Sequence, residues 1–582
     1  MVLISFIKSY GLLKARLSLK IFIQIQSESF SFKIVHFKSP SLIVMKFIAS
    51  HNILYSKGYW LFWLFITSII AGINLTTMSV APYLHSDEFT IIELGRIMLN
   101  PGTDWALPWL TSKDQPVLVW FYVGPVIQEL SFQLMGQYGP RISGLLGALA
   151  AATVMTGWLH ARGTSRTASF VLGLVFLLDP LFVQSYTMGR LDGWTMAFCI
   201  SSCWILHHAA LKVGNFKSSR ALLILSGFFA GLACFIWPSA VFMFPLVAFE
   251  FQYFLKSLRN KSETRWSFIA PLKYWAIGSI GIVIVLLTPI APLLFTHIDN
   301  IITALKANTH KGPHDVHEPF ILHITSSVIA MLQSLKFSPL LPILAAISLI
   351  QKKEFVLAIA LSITALLMLC TIVYLHRVQY LLPYFIVAIS CFLTQTKGNK
   401  ILSEVFISKI KPGILILLLV WASFISLITR QLLALNEKSE RSRELVYQAA
   451  KNMIGKGEHT VFLPAPEFYY AGRDLGWKMY RPYTGVGDTI SLKAFHSIIA
   501  HVNNAIMPNW ELSEDFKQLL KKEGFQEKGW INLYQMPLVE TNTKTTNTTR
   551  LRNLYAIFRQ PYGPYMLYVR KSALIAKSQI QQ

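Results

Sequence analysis

Apolar runs of about twenty residues recur from Tyr59 to roughly Ala434, separated by short connections that are mostly basic. Each run is long enough to cross a hydrocarbon core of about 30 Å, and Tyr59–Val80 and Phe355–Leu375 are clear examples. Within such a core the backbone must satisfy its own hydrogen bonds, so helices are the expected solution. The runs predict spans near 59–80, 141–160, 167–187, 191–211, 221–236, 238–256, 273–295, 337–350, 354–374, 378–395 and 412–433. The expected fold class is mainly α: a polytopic membrane helical bundle of about eleven spans.

After Asn436 the pattern changes. Helical stretches (Glu437–Gly455 and Glu511–Gly524) alternate with strand-like runs at His459–Leu463, Trp530–Tyr534 and Tyr565–Arg570. Thr541–Thr549 is Thr/Asn-rich and reads as a loop or flexible link. The expected domains are an N-terminal arm at 1–58, a membrane domain at 59–435 with a first loop at 81–140, and a small soluble α/β domain at 436–582.

Composition agrees with the pattern: of 582 residues, 53% are hydrophobic and only 14% charged, against about 25% charged in an ordinary soluble chain. The formal net charge of +24 sits largely in the connections, where it acts as an orientation signal and a contact to anionic headgroups. No basic patch with interleaved aromatics points to nucleic acid. Five connections are basic: Arg162 and Arg166; Lys212, Lys217 and Arg220; Lys256, Arg259, Lys261 and Arg265; Lys352 and Lys353; Lys397, Lys400, Lys409 and Lys411. Placing them in the cytoplasm puts 1–58 inside and, with an odd number of crossings, 436–582 outside. That topology requires residues 116–135, though apolar, to be a juxtamembrane or re-entrant helix. If they cross, every later loop inverts. Residues 1–44 are basic without a clean signal-peptide pattern, and either form a cytoplasmic arm or extend a protein that begins at Met45. The five cysteines all lie in apolar runs and read as small buried hydrophobes.

The proposed outer face gathers unusual charges. Asp87 and Glu88 follow the first span, and Asp192 opens a later one. Lys113, Arg141, Arg190, Lys306, Lys311 and Arg377 lie on the same side, where basic residues are disfavoured. A carboxylate there can deprotonate an incoming hydroxyl or hold a metal, while cations stabilise a phosphate leaving group. Each also has a plainer reading: Asp87 and Glu88 as solvated loop charges, Asp192 as a helix cap, and Arg141 and Arg190 as snorkelling side chains. Asp179 lies within a span, where a carboxylate is expensive. The loop 296–336 carries His310, His314 and His317, which with Asp87 or Glu88 form a candidate divalent-metal site or simply a polar loop. Tyr380 is a candidate phosphate contact, or an interfacial anchor.

The run from Ser86 to about Leu206 resembles the membrane-embedded GT-C glycosyltransferases related to protein O-mannosyltransferases and the aminoarabinose transferases of lipid A. The resemblance is carried by Asp87-Glu88, Gly102, Asp104-Trp105, Pro108, Gln115-Pro116, Trp120, Gly139-Pro140-Arg141, Pro180, Arg190 and Asp192, and later by His376-Arg377-Val378-Gln379-Tyr380 with Pro383. It implies inverting transfer of a sugar from a polyprenyl-phosphate donor to a protein, lipid A or other glycan acceptor. Asp87 is then the base or metal-organising residue, Glu88 and Asp192 assist, and Lys113, Arg141, Arg190, Arg377 and Tyr380 contact phosphate or substrate. The setting implied is the outer side of the bacterial inner membrane. The sequence departs from the family with Asp114-Gln115-Pro116 in place of Lys-Pro-Pro, Trp237-Pro238 where a Lys is common, and Val387 where a second proline stands. An outward-facing centre cannot draw on nucleotide sugars, which are kept inside, and this favours a lipid-carried donor. A transporter or flippase is the alternative, but such proteins place ionisable residues near the midplane of paired, interrupted helices.

Overall fold

The computed structural model describes residues 57–80, 84, 86–100, 121–260, 269–291, 320–371, 375–394, 403–436, 438, 442–480, 498–509, 512–531 and 564–571. By compactness the chain divides between Trp60 and Leu61. Of the unit Met1–Trp60, the described residues are the opening turn of the first helix.

Helix α1 (Lys57–Thr77) shows how the membrane region is built. Trp63, Thr67, Ile70 and Asn74 fall at helical spacing on one buried face, while Leu61, Phe62, Leu64 and Phe65 are more than half exposed on the other. Apolar exposure on this scale suits lipid, not water. Next come α2 (Ser86–Leu99), α3 (Val123–Met135) and α4 (Gly139–Ala161), then α5 (Arg166–Leu178), α6 (Pro180–Thr187) and α7 (Asp192–Leu211). The bundle continues with α8 (Phe216–Ile236), α9 (Phe244–Arg259), α10 (Ala270–Leu287), α11 (Phe320–Leu335), α12 (Leu340–Lys352), α13 (Phe355–Leu369), α14 (Leu382–Leu393) and α15 (Ser403–Ser423).

Among the described residues, a helix falls within every predicted range. Among the described residues, seven helices are long and apolar enough to cross a membrane, or up to nine if each bent pair is one span. The difference from the expected count has local causes. Helix α7 carries His207 and His208, but both are buried, so protein and not lipid surrounds its polar groups. Helix α13 has only 15 residues. The α5–α6 pair bends by 56° at Asp179-Pro180, where Pro180 cannot continue the preceding helix. Asp179 is therefore a buried cap: its Oδ1 accepts from the Leu181 N–H at 2.9 Å and its Oδ2 from the Ser338 hydroxyl.

The segment that decides the topology is α3. Its 13 residues rise about 20 Å, and together with α4 they form one 39-residue apolar helical run, Val123–Ala161. A 3-10 turn, Gly136–Tyr138, separates it from α4. Helix α3 packs on α2 so closely that a Cβ on Gly95 would stand 2.0 Å from the carbonyl oxygen of Pro125, and only glycine permits that approach.

Beyond α16 (Arg430–Asn436) and α17 (Arg443–Met453) lies a five-stranded sheet built of β1 (Thr460–Phe462), β2 (Lys478–Tyr480), β3 (Asn504–Pro508), β4 (Phe525–Ile531) and β5 (Tyr565–Arg570). The order is β2-β1-β3-β5-β4, with β1 parallel to β2 and β3, and β5 antiparallel to β3 and β4. Helix α18 (Tyr469–Leu475) makes the crossover from β1 to β2, and α19 (Glu514–Lys522) precedes β4. Both faces of the sheet are covered, which explains why β3 is buried at every position. Phe516 and Leu520 of α19 cover one face. The other shares a hydrophobic core with Phe89, Ile92 and Leu94 of α2 and Phe132 of α3. The C-terminal domain is thus seated on the helix that follows the first span.

Candidate active site

Asp87 sits in the first turn of α2, where a carboxylate suits the positive end of the helix dipole. Its carboxylate pairs with the Arg190 guanidinium. Arg190 precedes α7 in a tight connection whose shape depends on Gly189, with φ at +68°. The Gly189 carbonyl accepts from Gln128 Nε2 of α3 at 2.6 Å, which pins the connection. From there the Arg190 Nε reaches Asp192 Oδ2 at 2.7 Å. Asp192 also accepts from the Ser185 hydroxyl at 2.8 Å and from the Tyr380 hydroxyl at 2.7 Å. Gln379 donates to Ser185 Oγ at 3.0 Å, so the turn before α14 braces both supports of Asp192. The Arg190 guanidinium lies 5.8 Å from the centre of the Trp237 ring, at the position where the resemblance expects a lysine.

Exposure gives this chain of groups a direction. The Asp192 side chain is fully buried and that of Arg190 is 7% exposed, whereas that of Asp87 is 42% exposed. Two carboxylates against one guanidinium leave one negative charge in excess. Asp192 is buried with three donors within the protein, and Asp87 is the exposed end of the chain.

Glu88 is arranged differently. It points about 100° around the helix from Asp87 and is buried, with Arg141 Nε and Nη2 at 3.0 and 2.8 Å. The third arm of Arg141, Nη1, donates to the Met78 carbonyl at 2.6 Å. The Tyr470 hydroxyl, from the C-terminal domain, completes Glu88 at 2.6 Å. The described residues therefore do not fit a metal shared by Asp87 and Glu88, because guanidinium and hydroxyl donors take up the Glu88 oxygens. Among the described residues, no group of three or more His, Cys, Asp or Glu side chains is arranged to hold an ion. His310, His314, His317 and Lys113 lie outside the described residues. Arg377 is partly buried on the short helical segment Leu375–Val378, three residues before Tyr380.

Ser185, Gln379 and the donors from α18 carry no mark in the sequence that sets them apart. Glu129 does: an acid in an otherwise apolar run signals a buried partner, and that partner is Arg473, at 2.9 Å. Arg473 also reaches Glu93 Oε1 at 3.4 Å, and the Tyr469 hydroxyl donates to the same oxygen at 2.6 Å. Burial pushes the Tyr469 and Tyr470 hydroxyls well above the usual phenol range, and Glu93 and Glu88 beside them add to it, so both remain donors.

A second ionic cluster lies at the far end of α4. Glu250, fully buried on α9, pairs with Arg162 and accepts at 2.6 Å from His207 Nδ1, while His207 Nε2 meets the Ala161 carbonyl at 3.0 Å. Aromatic rings wall it in, with the Arg162 guanidinium 4.9 Å from the centre of the Phe249 ring.

An apolar bundle with an acid centre after its first span carries a small sheet domain seated beside that centre; the chain is an integral membrane protein, and its fold is similar to that of a membrane protein of known structure. ArnT from Cupriavidus metallidurans bound to undecaprenyl phosphate matches the chain with a TM-score of 0.50 at 10% identity, over 80% of this chain and 95% of that one. The apo state of the same protein gives 0.47 at 11% identity, with the same coverage. Archaeal oligosaccharyltransferase AglB from Archaeoglobus fulgidus, in complex with an inhibitory peptide and a dolichol-phosphate, gives 0.45 at 11%, over 83% of this chain and 75% of that one. No protein-family model matches the chain, and no curated protein does.

Proposed function

We propose that this protein is a glycosyltransferase that moves a sugar, with inversion, from a polyprenyl-phosphate donor to a protein, lipid A or other glycan acceptor. The proposed setting is the outer face of the bacterial inner membrane, with the C-terminal domain on that side. The observation that carries this reading is the half-exposed Asp87 carboxylate held on a buried Arg190–Asp192–Tyr380 support within an apolar bundle similar in fold to ArnT.

The chemistry follows from that geometry. An acceptor hydroxyl donates a hydrogen bond to the Asp87 carboxylate, which takes the proton as the oxygen attacks the anomeric carbon. The new bond to that carbon forms on the face opposite the breaking bond to phosphate, and the electron pair leaves on the polyprenyl phosphate. Lys113 and Arg377 are the cations proposed to meet that charge. Arg190 fixes the orientation of Asp87. Asp192 holds Arg190 in place, with Tyr380 and Ser185 completing its shell. Glu88 and Arg141 position α2 and take no part in proton transfer. No step here runs through a metal ion.

The test uses the full-length protein in liposomes, supplied with radiolabelled polyprenyl-phosphate sugars and an extract of membrane acceptors. Label should leave the lipid and appear in an acceptor, with the lipid phosphate recovered. A folded protein that moves no label from any of a panel of hexosyl and pentosyl donors refutes the reading.

A further inference from the structure

Helix α18 of the C-terminal domain reads YYAGRDL, and three of its side chains end on carboxylates of α2 and α3. The Tyr470 hydroxyl meets Glu88, the Tyr469 hydroxyl meets Glu93, and Arg473 bridges Glu93 and Glu129. All three carboxylates are buried, and a buried carboxylate is stable only when its lone pairs are taken. Guanidinium groups from three elements meet this need: Arg141 of α4 at Glu88, Arg96 of α2 itself at Glu93, and Arg473 at Glu129. Rings reinforce the seat, with Phe132 stacked on Tyr470 at 5.7 Å and Phe89 against Tyr469 at 5.4 Å. Glu88 is therefore gripped from both sides, by the membrane bundle through Arg141 and by the C-terminal domain through Tyr470. Its neighbour Asp87 projects from the same turn toward Arg190.

We propose that the C-terminal domain is a working part of the transfer centre, and that Tyr470 is a positioning residue that sets Asp87 through Glu88. The proposal rests on the reading of Asp87 as the base. A rotation of α2 by a few degrees moves Asp87 against Arg190, and a misplacement of about 1 Å at a reacting group costs on the order of a hundredfold in rate. The domain thus does more than present an acceptor; docking it completes the geometry of the acid centre.

The experiment compares Tyr470→Phe, Glu88→Gln and their double variant in the full-length protein, by label transfer and by amide hydrogen exchange over residues 86–99. Tyr568→Phe is the control, since its hydroxyl meets Glu527 at 3.1 Å away from α2. Tyr470→Phe should lower kcat about tenfold, a loss of about 1.4 kcal/mol, with the KM for the donor unchanged. It should also speed exchange over 86–99, and the double variant should be no slower than the worse single one. Tyr568→Phe should change neither reading. Unchanged kcat per folded molecule, unchanged exchange over 86–99, or multiplicative losses in the double variant overturn the proposal. If the wild type transfers no label at all, the functional reading fails first, and exchange over 86–99 then decides the clamp by itself.

Discussion

At one end of α4, Asp87, Arg190 and Asp192 form an ionic chain with Tyr380; at the other, Arg162, Glu250 and His207 form one from the same kinds of group. The 23 residues of α4 separate them by about 35 Å. In the second cluster every member is buried or nearly so, one Glu250 oxygen faces Arg162 and the other the His207 ring, and aromatic rings close the sides. In the first, one carboxylate is left half-exposed at the end of a buried support. Charge in a membrane protein marks cost in both places, but only an open end gives a substrate something to meet. Exposure at one member, with burial of the groups behind it, separates a candidate catalyst from a structural lock.

Substitutions can break that contrast, and the largest effect is expected from Arg190→Ala. It leaves Asp192 buried without its cation, at about 3–5 kcal/mol of stability, and it should also reduce label transfer by more than about a hundredfold. Both are read on one preparation, by thermal unfolding and by transfer. Glu250→Ala strands Arg162 and His207 and should cost a similar 3–5 kcal/mol or so, yet leave transfer per folded molecule intact. A selective loss of transfer there would erase the distinction between the two clusters. Tyr380→Phe removes one of the Asp192 donors and should cost about 1–3 kcal/mol, with kcat falling about tenfold. The smallest effect is expected from Gly189→Ala, where a positive φ imposes about 1–2 kcal/mol on an L residue. A lowered thermal midpoint with a modest fall in transfer is the outcome that keeps Gly189 in its turn-forming role.

Much of this was legible in the residues. Asp87, Arg190 and Asp192 stand out because charges at the ends of apolar runs need a reason, and their partners lie near breaks in the helical pattern. The charge of the later connections makes 116–135 a non-spanning segment by expectation, while its described part runs on through α4 as one helical stretch, Val123–Ala161. Pairings between distant positions were not legible. The residue pattern groups Glu88 and Arg141 with the substrate-facing charges, whereas the structure turns them toward each other, because one step along a helix rotates a side chain by about 100°. In the C-terminal domain Tyr565–Arg570 forms a strand over its predicted range, whereas the strand expected at Trp530–Tyr534 begins earlier, at Phe525. Strands β2 and β3 went unseen: β2 has three residues, and β3 reads NAIMP, buried throughout without alternation. Tyr469, Tyr470 and Arg473 look like ordinary residues of a soluble domain until α2 is placed against them.

The central claim is that the carboxylate at position 87 does chemistry and not scaffolding, and Asp87→Asn tests it most directly, with label transfer and thermal unfolding measured on the same sample. The expected result is transfer reduced by at least about a hundredfold with an unfolding midpoint close to that of the wild type. Wild-type transfer by this variant, or a loss of transfer that merely follows a loss of folded protein, contradicts it.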